Sequence, residues 1–220
     1  DYDAAEAIFE GARSQLGDYP GLLANLGLVS LHRGDFETAR SRYEASMALS
    51  RAADNRWEIG HALANLGDIE RRRGNLDLAR AHWEESLAIK LRLNDKVTAT
   101  LVLGGLGLLA LAGGDLADAR SRLTHGARLA LEVGDMASLA ELFGGFVDLA
   151  LAEGAPARAT RWLAASVATQ ERLGIALGPF ERADLEGRIA RLRDALGDAA
   201  FEAAWAEAGG LELEDAAREA

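Results

Sequence analysis

The most constraining feature of this sequence is a period of 40 residues. Glycines stand at positions 34, 74, 114 and 154, and similar segments surround each of them. An apolar segment such as ALANLGDIER (from 62) precedes each glycine, and a second one such as NLDLARAHWEESLAI (from 75) follows it. A fixed period of this length indicates stacked repeats, each too small to bury its own apolar face.

Each unit is predicted to be a helix, a tight turn and a second helix. Apolar residues are three or four positions apart, as in Leu63, Leu66 and Ile69, which is α-helical spacing. At the turn, glycine can adopt the left-handed C-cap, and the polar residue after it can cap the next helix. The predicted caps are Asp35, Asn75 and Asp115. A second set of turns recurs with the same period at Ala53-Asp54-Asn55, Asn94-Asp95, Gly134-Asp135 and Gly174.

Composition narrows the class of protein. Only three prolines interrupt a sequence that is 49% hydrophobic and 27% charged, which favours helix. The absence of cysteine excludes disulfides and thiolate zinc sites. A net charge of -11 argues against direct contact with a nucleic-acid backbone. No charged-then-apolar signal peptide opens the sequence, so a cytoplasmic location is expected.

The second unit resembles the tetratricopeptide repeat. The matching positions are Leu63, Leu66-Gly67, Ala79, Trp83 and Ser86. The period is 40 rather than 34 residues, and this longer period resembles the tetratricopeptide-type arms of large bacterial signalling ATPases. The last 25 residues resemble the closing segment of LuxR-type regulators and related STAND ATPases. Those matches are Leu196-Gly197, Phe201, Trp205, Leu211 and Leu213-Glu214-Asp215-Ala216.

The predicted fold is an all-α, right-handed superhelical array of antiparallel helix pairs with a C-terminal helical cap. Residues 1–19 are expected to form a half-repeat, the second helix only. Residues 20–177 would form four repeats, at about 20–55, 56–95, 96–135 and 136–177, and residues 178–220 the capping helices. Phe201, Trp205, Leu211 and Leu213 are expected to fold back on helix 155–173. The half-repeat would expose an apolar edge, open to upstream chain or to self-association.

The segment Val97–Gly114 carries no charge, and it contains Gly105-Leu106-Gly107, which has the letters of a dinucleotide-binding motif. Such a motif binds pyrophosphate only between a strand and a helix, whereas its repeat counterparts Asn25-Leu26-Gly27 and Asn65-Leu66-Gly67 lie mid-helix. A membrane span is excluded by the equivalent segment 57–74, which carries several charges. The segment is therefore predicted to be a first helix of the array.

The resemblance implies that first helices line a concave groove, which would hold a protein partner or a small inducer. The predicted groove residues are Asn25, His61, Asn65, Asp68, Arg72, Leu101, Gly104, Gly105, Leu108, Glu141, Gly145 and Asp148. Glycine inside a helix costs about 0.5–1 kcal/mol relative to alanine, so the pairs at 104–105 and 144–145 need a reason. They either open a hollow for a ligand or let neighbouring first helices pack closely.

No residues with a catalytic or metal-binding pattern were found. The four histidines are scattered, and the only lysines, Lys90 and Lys96, do not form a phosphate loop. Arg71-Arg72-Arg73 is interpreted as a solvated helix end or a contact to an acidic partner. All four tryptophans are predicted to be core residues. No enzymatic activity, metal or cofactor is expected.

Two functional hypotheses follow. The resemblance implies a sensor or regulatory arm of a STAND-type ATPase or transcriptional regulator. Its ligand would bias an ATPase domain upstream in the same chain. The alternative is an interaction scaffold that holds a partner peptide or helix without a small ligand. Neither hypothesis involves direct contact with nucleic acid or with a membrane.

Overall fold

The computed structural model describes residues 2–208 and 211–219, and these residues confirm the predicted all-α fold. No strand occurs within them. Their helices are α1 Tyr2–Leu16, α2 Pro20–His32, α3 Phe36–Ala52, α4 Arg56–Arg72, α5 Leu76–Arg92, α6 Lys96–Ala112, α7 Leu116–Val133, α8 Met136–Ala152, α9 Pro156–Arg172, α10 Pro179–Leu196, α11 Asp198–Glu207 and α12 Leu213–Glu219.

The chain divides into two compact units, Asp1–Thr98 and Ala99–Ala220. Unit 1 contains α1 to α5, and unit 2 contains most of α6 and all of α7 to α12. The finer division into a half-repeat, four repeats and a cap stays a prediction.

The turns follow from the residues at their centres. Gly34, Gly74, Gly114 and Gly154 adopt the left-handed conformation with φ of 77°, 83°, 77° and 74°. In the second set of turns Asp54 and Asn94 adopt it as well, with φ of 50° and 56°. Asparagine and aspartate tolerate this conformation better than other side chains. The period of 40 residues is therefore a period of left-handed helix ends.

Most of the predicted helix caps are present. The Asp35 and Asp115 carboxylates accept hydrogen bonds from the third backbone N–H of their helices, at 3.1 and 2.9 Å. The prediction for Asn75 was wrong. Its side chain makes no cap, because its amide donates to Glu70 Oε2 at 2.6 Å. Buried Glu70 thus takes the side chain that would otherwise close the start of α5.

Each pair of helices closes where a glycine of the first helix faces a large side chain of the second. A Cβ atom at Gly27 would lie 3.0 Å from the Tyr43 ring. At Gly67 it would lie within 3.0 Å of the Trp83 indole. Serines of the second helices fasten the same pairs. The Ser46, Ser86 and Ser166 hydroxyls donate to carbonyl oxygens 26 residues earlier, at 2.8, 2.7 and 2.8 Å.

The core of unit 2 is aromatic, and the terminal helices cover it. Phe143 and Phe146 lie 5.2 Å apart, and both rings meet Trp162 edge-on at 6.0 Å. From α11 and α12, Phe201 and Leu213 are buried in this core. Trp205 and Leu211 are partly buried against it. Both helices contact α9, as expected for a cap that folds back on helix 155–173.

In unit 1 the core contains a lysine. Lys90 is fully buried, and its ammonium donates to the Trp57 carbonyl at 3.1 Å and to Asp95 Oδ2 at 2.9 Å. Its nitrogen also lies 4.2 Å from the centre of the Trp57 ring. Partial burial opposes ionisation of Asp95, but hydrogen bonds from Lys90 and the Thr98 amide outweigh it and lower the pKa of Asp95.

The expectation that every tryptophan is a core residue was wrong for Trp57. Trp83 and Trp162 are 4% and 3% exposed, whereas Trp57 is 49% exposed. Trp57 lies in the first turn of α4, where one side of its ring covers Lys90 and the rest remains open to solvent.

Candidate functional site on the first helices

The candidate site consists of the solvent-facing sides of the first helices. In unit 1, α2 and α4 lie side by side, and a Cβ atom at Gly21 of α2 would lie 3.3 Å from Glu58 Oε1 of α4. In unit 2, α6 and α8 meet where a Cβ atom at Gly104 would lie 3.0 Å from Leu142 Cδ1. The two faces are described separately, as the α2–α4 face and the α6–α8 face.

On the α2–α4 face, predicted groove residues from both helices reach the surface. Asn25 of α2 is exposed, and Leu28, one turn further along α2, is 40% exposed. On α4 the predicted residues are half-buried and follow one stripe of the helix: His61, Asn65, Asp68 and Arg72. The structure therefore places all five predicted residues of unit 1 on its first helices, accessible to solvent.

Several polar groups on this face already have partners. The His61 ring stacks on Trp57, with centroids 5.4 Å apart. Burial, and secondarily the charge of Lys90, lower the pKa of His61, so the ring favours its neutral form. The Asn65 amide donates to the His61 carbonyl at 2.9 Å. Asp68 accepts from Arg71 and Arg72 at 3.0 and 2.8 Å, so its charge is compensated within α4.

The α6–α8 face is more apolar. Leu101 of α6 is 41% exposed, Leu108 and Gly105 are half-buried, and Glu141 of α8 is exposed. Gly104, predicted to line the groove, is the place where Leu142 of α8 approaches α6 most closely. At this position the glycine serves helix packing.

The prediction that Gly145 lines the groove was wrong. Gly145 is buried, and a Cβ atom there would lie 2.6 Å from Leu123 Cδ2 of α7. Its neighbour Gly144 has the guanidinium of Arg188 at 3.0 Å from the equivalent position. Of the two explanations left open by the sequence, close packing therefore accounts for the glycines at 104, 144 and 145.

Asp148 has partners that sequence reasoning missed. Arg188 of α10 donates to its Oδ2 from Nε and from an amino nitrogen at 3.2 and 3.0 Å, and Arg191 donates to Oδ1 at 2.6 Å. Arg188 stands 40 residues after Asp148. Extending the period by one more unit would have placed these opposite charges at the same position of neighbouring first helices.

The faces hold no enclosed cavity made by the predicted groove residues. One open depression of about 450 Å³ lies in unit 1 beside Arg13 and Arg42, and another of about 510 Å³ lies in unit 2 beside Arg128 and Glu214. Neither is lined by a predicted groove residue. Across the described ranges, no three His, Asp or Glu side chains come together to hold a metal ion. Among the described helices, none has the length and apolar character needed to cross a bilayer.

Comparison with known proteins identifies the family. A family model described as the tetratricopeptide repeat matches residues 18–92 and 58–132, which together make up more than half of the 220 residues. The chain belongs to the tetratricopeptide repeat family. Tetratricopeptide repeats are helical protein-interaction modules, so family membership supports protein binding as the general function. A search of curated proteins gives no significant match.

A solved structure has a similar fold. The crystal structure of BtubC (BKLC) from P. vanneervenii is similar to this tetratricopeptide-repeat chain with a TM-score of 0.64 and 16% sequence identity. The similarity covers 94% of this chain and 86% of that chain. At this level of identity it shows a shared fold.

Proposed function

We propose that the α2–α4 face of unit 1 binds an extended segment of a protein partner. The observation that carries this proposal is the pair of asparagines at the same position of consecutive first helices. Asn25 and Asn65 stand 40 residues apart, the first exposed and the second half-buried. A carboxamide has both a donor and an acceptor, so it can bind the N–H and the C=O of a peptide group whatever the partner's side chains.

Apolar side chains beside the asparagines supply the second part of the binding surface. Leu28 is 40% exposed and Trp57 is 49% exposed, and they lie on α2 and α4 respectively. Large apolar anchors, tryptophan above all, supply much of the affinity of protein interfaces. Backbone-binding amides with flanking apolar anchors fit a partner segment that carries apolar side chains at intervals.

Unit 2 is less suited to this mode of binding. Glycine replaces asparagine at positions 105 and 145, and Gly145 is buried against Leu123. The carboxylate of Asp148 is already bound by two arginines of α10. These observations support placing the backbone-binding site in unit 1.

A peptide-display selection tests the proposal. The purified chain would be screened against a random peptide library, and each enriched peptide measured for affinity to the wild type and to the Asn25→Ala/Asn65→Ala variant. Each lost hydrogen bond in an interface contributes about 1 kcal/mol, so we expect the double variant to bind about tenfold or more weakly. Gln15→Ala, which removes an exposed amide from α1, is the matched control. Peptides that bind the double variant and the wild type equally would contradict the proposal.

We also propose that the chain serves as the regulatory arm of a cytoplasmic STAND-type ATPase or transcriptional regulator. This proposal is supported by the closing segment, where Phe201 and Leu213, which carry the resemblance, are the residues buried against unit 2. A coupling of about 1–3 kcal/mol between an inducer or a protein and the ATPase would suffice for regulation. Thermal-shift screening with sugars, nucleotides and metabolites tests for the inducer. A compound at 100 times its Kd adds about 2.7 kcal/mol of stability, and the absence of any shift would contradict a small inducer.

A further inference from the structure

The first helix of the chain carries an apolar stripe that is open to solvent. Its members are spaced by three and four residues along α1: Ala5, Ile8, Phe9, Ala12 and Leu16. Ile8 and Leu16 are 69% and 79% exposed, and the other three are half-buried. Within Tyr2–Leu16, all of which the structure describes, no side chain is buried.

Charged groups hold α1 against α2 and α3. Glu6 accepts from Arg33 of α2, and Glu6 and Glu10 accept from Arg42 of α3, each at 3.1 Å in the latter case. Arg42 is itself fixed by the Leu26 carbonyl and the Ser30 hydroxyl, at 3.0 and 2.7 Å. These contacts lie on the acidic side of α1. They leave the apolar stripe uncovered.

The other second helices of unit 1 show what covers such a stripe. Ala5 and Phe9 stand 34 residues before Ala39 and Tyr43, which are both 0% exposed. The same pair recurs as Ala79 and Trp83, which are 0% and 4% exposed. In each case the cover is a first helix whose glycine faces the aromatic ring, as Gly27 faces Tyr43 and Gly67 faces Trp83.

We infer that the α1 stripe is a docking surface for a helix of the first-helix type, supplied by another polypeptide segment. Such a helix carries apolar residues in the order Leu-x-x-Leu-Gly and places the glycine against the Phe9 ring. The glycine is required because a Cβ atom in the equivalent pair would lie only 3.0 Å from the Tyr43 ring. This surface is separate from the α2–α4 face, so the inference does not depend on the proposed function.

One difference from the other helices refines the expected partner. Ala12 occupies the position of Ser46 and Ser86, whose hydroxyls donate to a carbonyl of the covering helix. Alanine makes no such bond, so the docked helix contacts α1 through apolar atoms alone at this point. Without that hydrogen bond, an exchangeable partner is favoured over a permanently closed pair.

The chain itself offers a probe with the required pattern. A copy of residues 20–34 would be fused directly ahead of residue 1, so that the copied Gly27 lies as far before Phe9 as Gly27 lies before Tyr43. The matched control carries leucine in place of the copied glycine. Hydrogen exchange of the α1 amides, followed by mass spectrometry, is measured in the unfused chain and in both fusions.

We expect the glycine fusion to slow exchange of the α1 amides by about tenfold or more, with little slowing in the leucine control. Phe9→Asp in the glycine fusion should restore fast exchange. Equal protection in the two fusions, or none in either, would overturn the inference. Sedimentation of the unfused chain gives a second check. If it forms dimers that Ile8→Glu disrupts, a second copy covers the stripe, and the inference of a first-type helix is wrong.

Discussion

The buried ion pair of unit 1 allows a quantitative test of how that unit is held together. Lys90 is fully buried, Asp95 is 16% exposed, and their nitrogen and oxygen lie 2.9 Å apart. Replacing Asp95 with asparagine keeps the shape of the side chain and an oxygen that can accept from the Thr98 amide. It removes the negative charge and leaves the ammonium with the Trp57 carbonyl and ring.

The expected loss follows from burial. Removing one partner of a buried pair costs about 3–5 kcal/mol, because the remaining charge is uncompensated. Since Asp95 is partly exposed and water can approach it, we expect the lower end, about 3 kcal/mol, for Asp95→Asn. The double variant Lys90→Met/Asp95→Asn contains neither charge and fills the same space with an unbranched apolar chain. We expect its stability to lie within about 1 kcal/mol of the wild type.

Urea unfolding followed by circular dichroism measures both values. The difference between wild type and Asp95→Asn should also depend on pH. Partial burial raises the pKa of Asp95, but the hydrogen bonds from Lys90 and Thr98 lower it further, to below its ordinary value of 3.8. The contribution is thus present above the unfolded-state pKa and is lost as the pH falls through the folded one. A loss below about 1 kcal/mol at pH 7, or a double variant as unstable as Asp95→Asn, would refute the reasoning.

Three further predictions concern single positions. Gly67→Ala should destabilise unit 1 by about 1–3 kcal/mol in urea unfolding, because the added methyl meets Trp83, whereas helix propensity alone would stabilise it. Stability should fall as the pH drops from about 7.5 to 5.5 by more in the wild type than in His61→Gln, because the unfolded state binds a proton more readily than buried His61 does. Asp35→Ala removes the acceptor of the Thr38 amide and should lower the free energy of unfolding by about 1 kcal/mol.

The helices and their turns could be predicted because each depends on a few local residues. A glycine at a left-handed helix end, followed by a capping aspartate, recurs every 40 residues and fixes where the chain reverses. The failure at Asn75 shows the limit of that reasoning. Its amide prefers the buried carboxylate of Glu70, a residue five positions earlier that helical spacing alone marks as an ordinary interior position.

The candidate site was less predictable, because it depends on which neighbour covers a given position. Spacing places Gly145 and Asp148 on the same helix, but only packing shows Leu123 against the first and Arg188 on the second. Trp57 was misassigned for the same reason. Its position fits an apolar pattern, yet the group beneath its ring is the ammonium of Lys90, and much of the ring remains exposed.

The distribution of tryptophans gives this protein a built-in fluorescence probe for each unit. Unit 1 contains Trp83 deep in the core and Trp57 at the surface, while unit 2 contains buried Trp162 and the more accessible Trp205. Replacing Trp162 and Trp205 with phenylalanine would leave emission from unit 1 alone. In that variant acrylamide should quench Trp57 selectively. The emission would then report directly on whatever binds over the α2–α4 face.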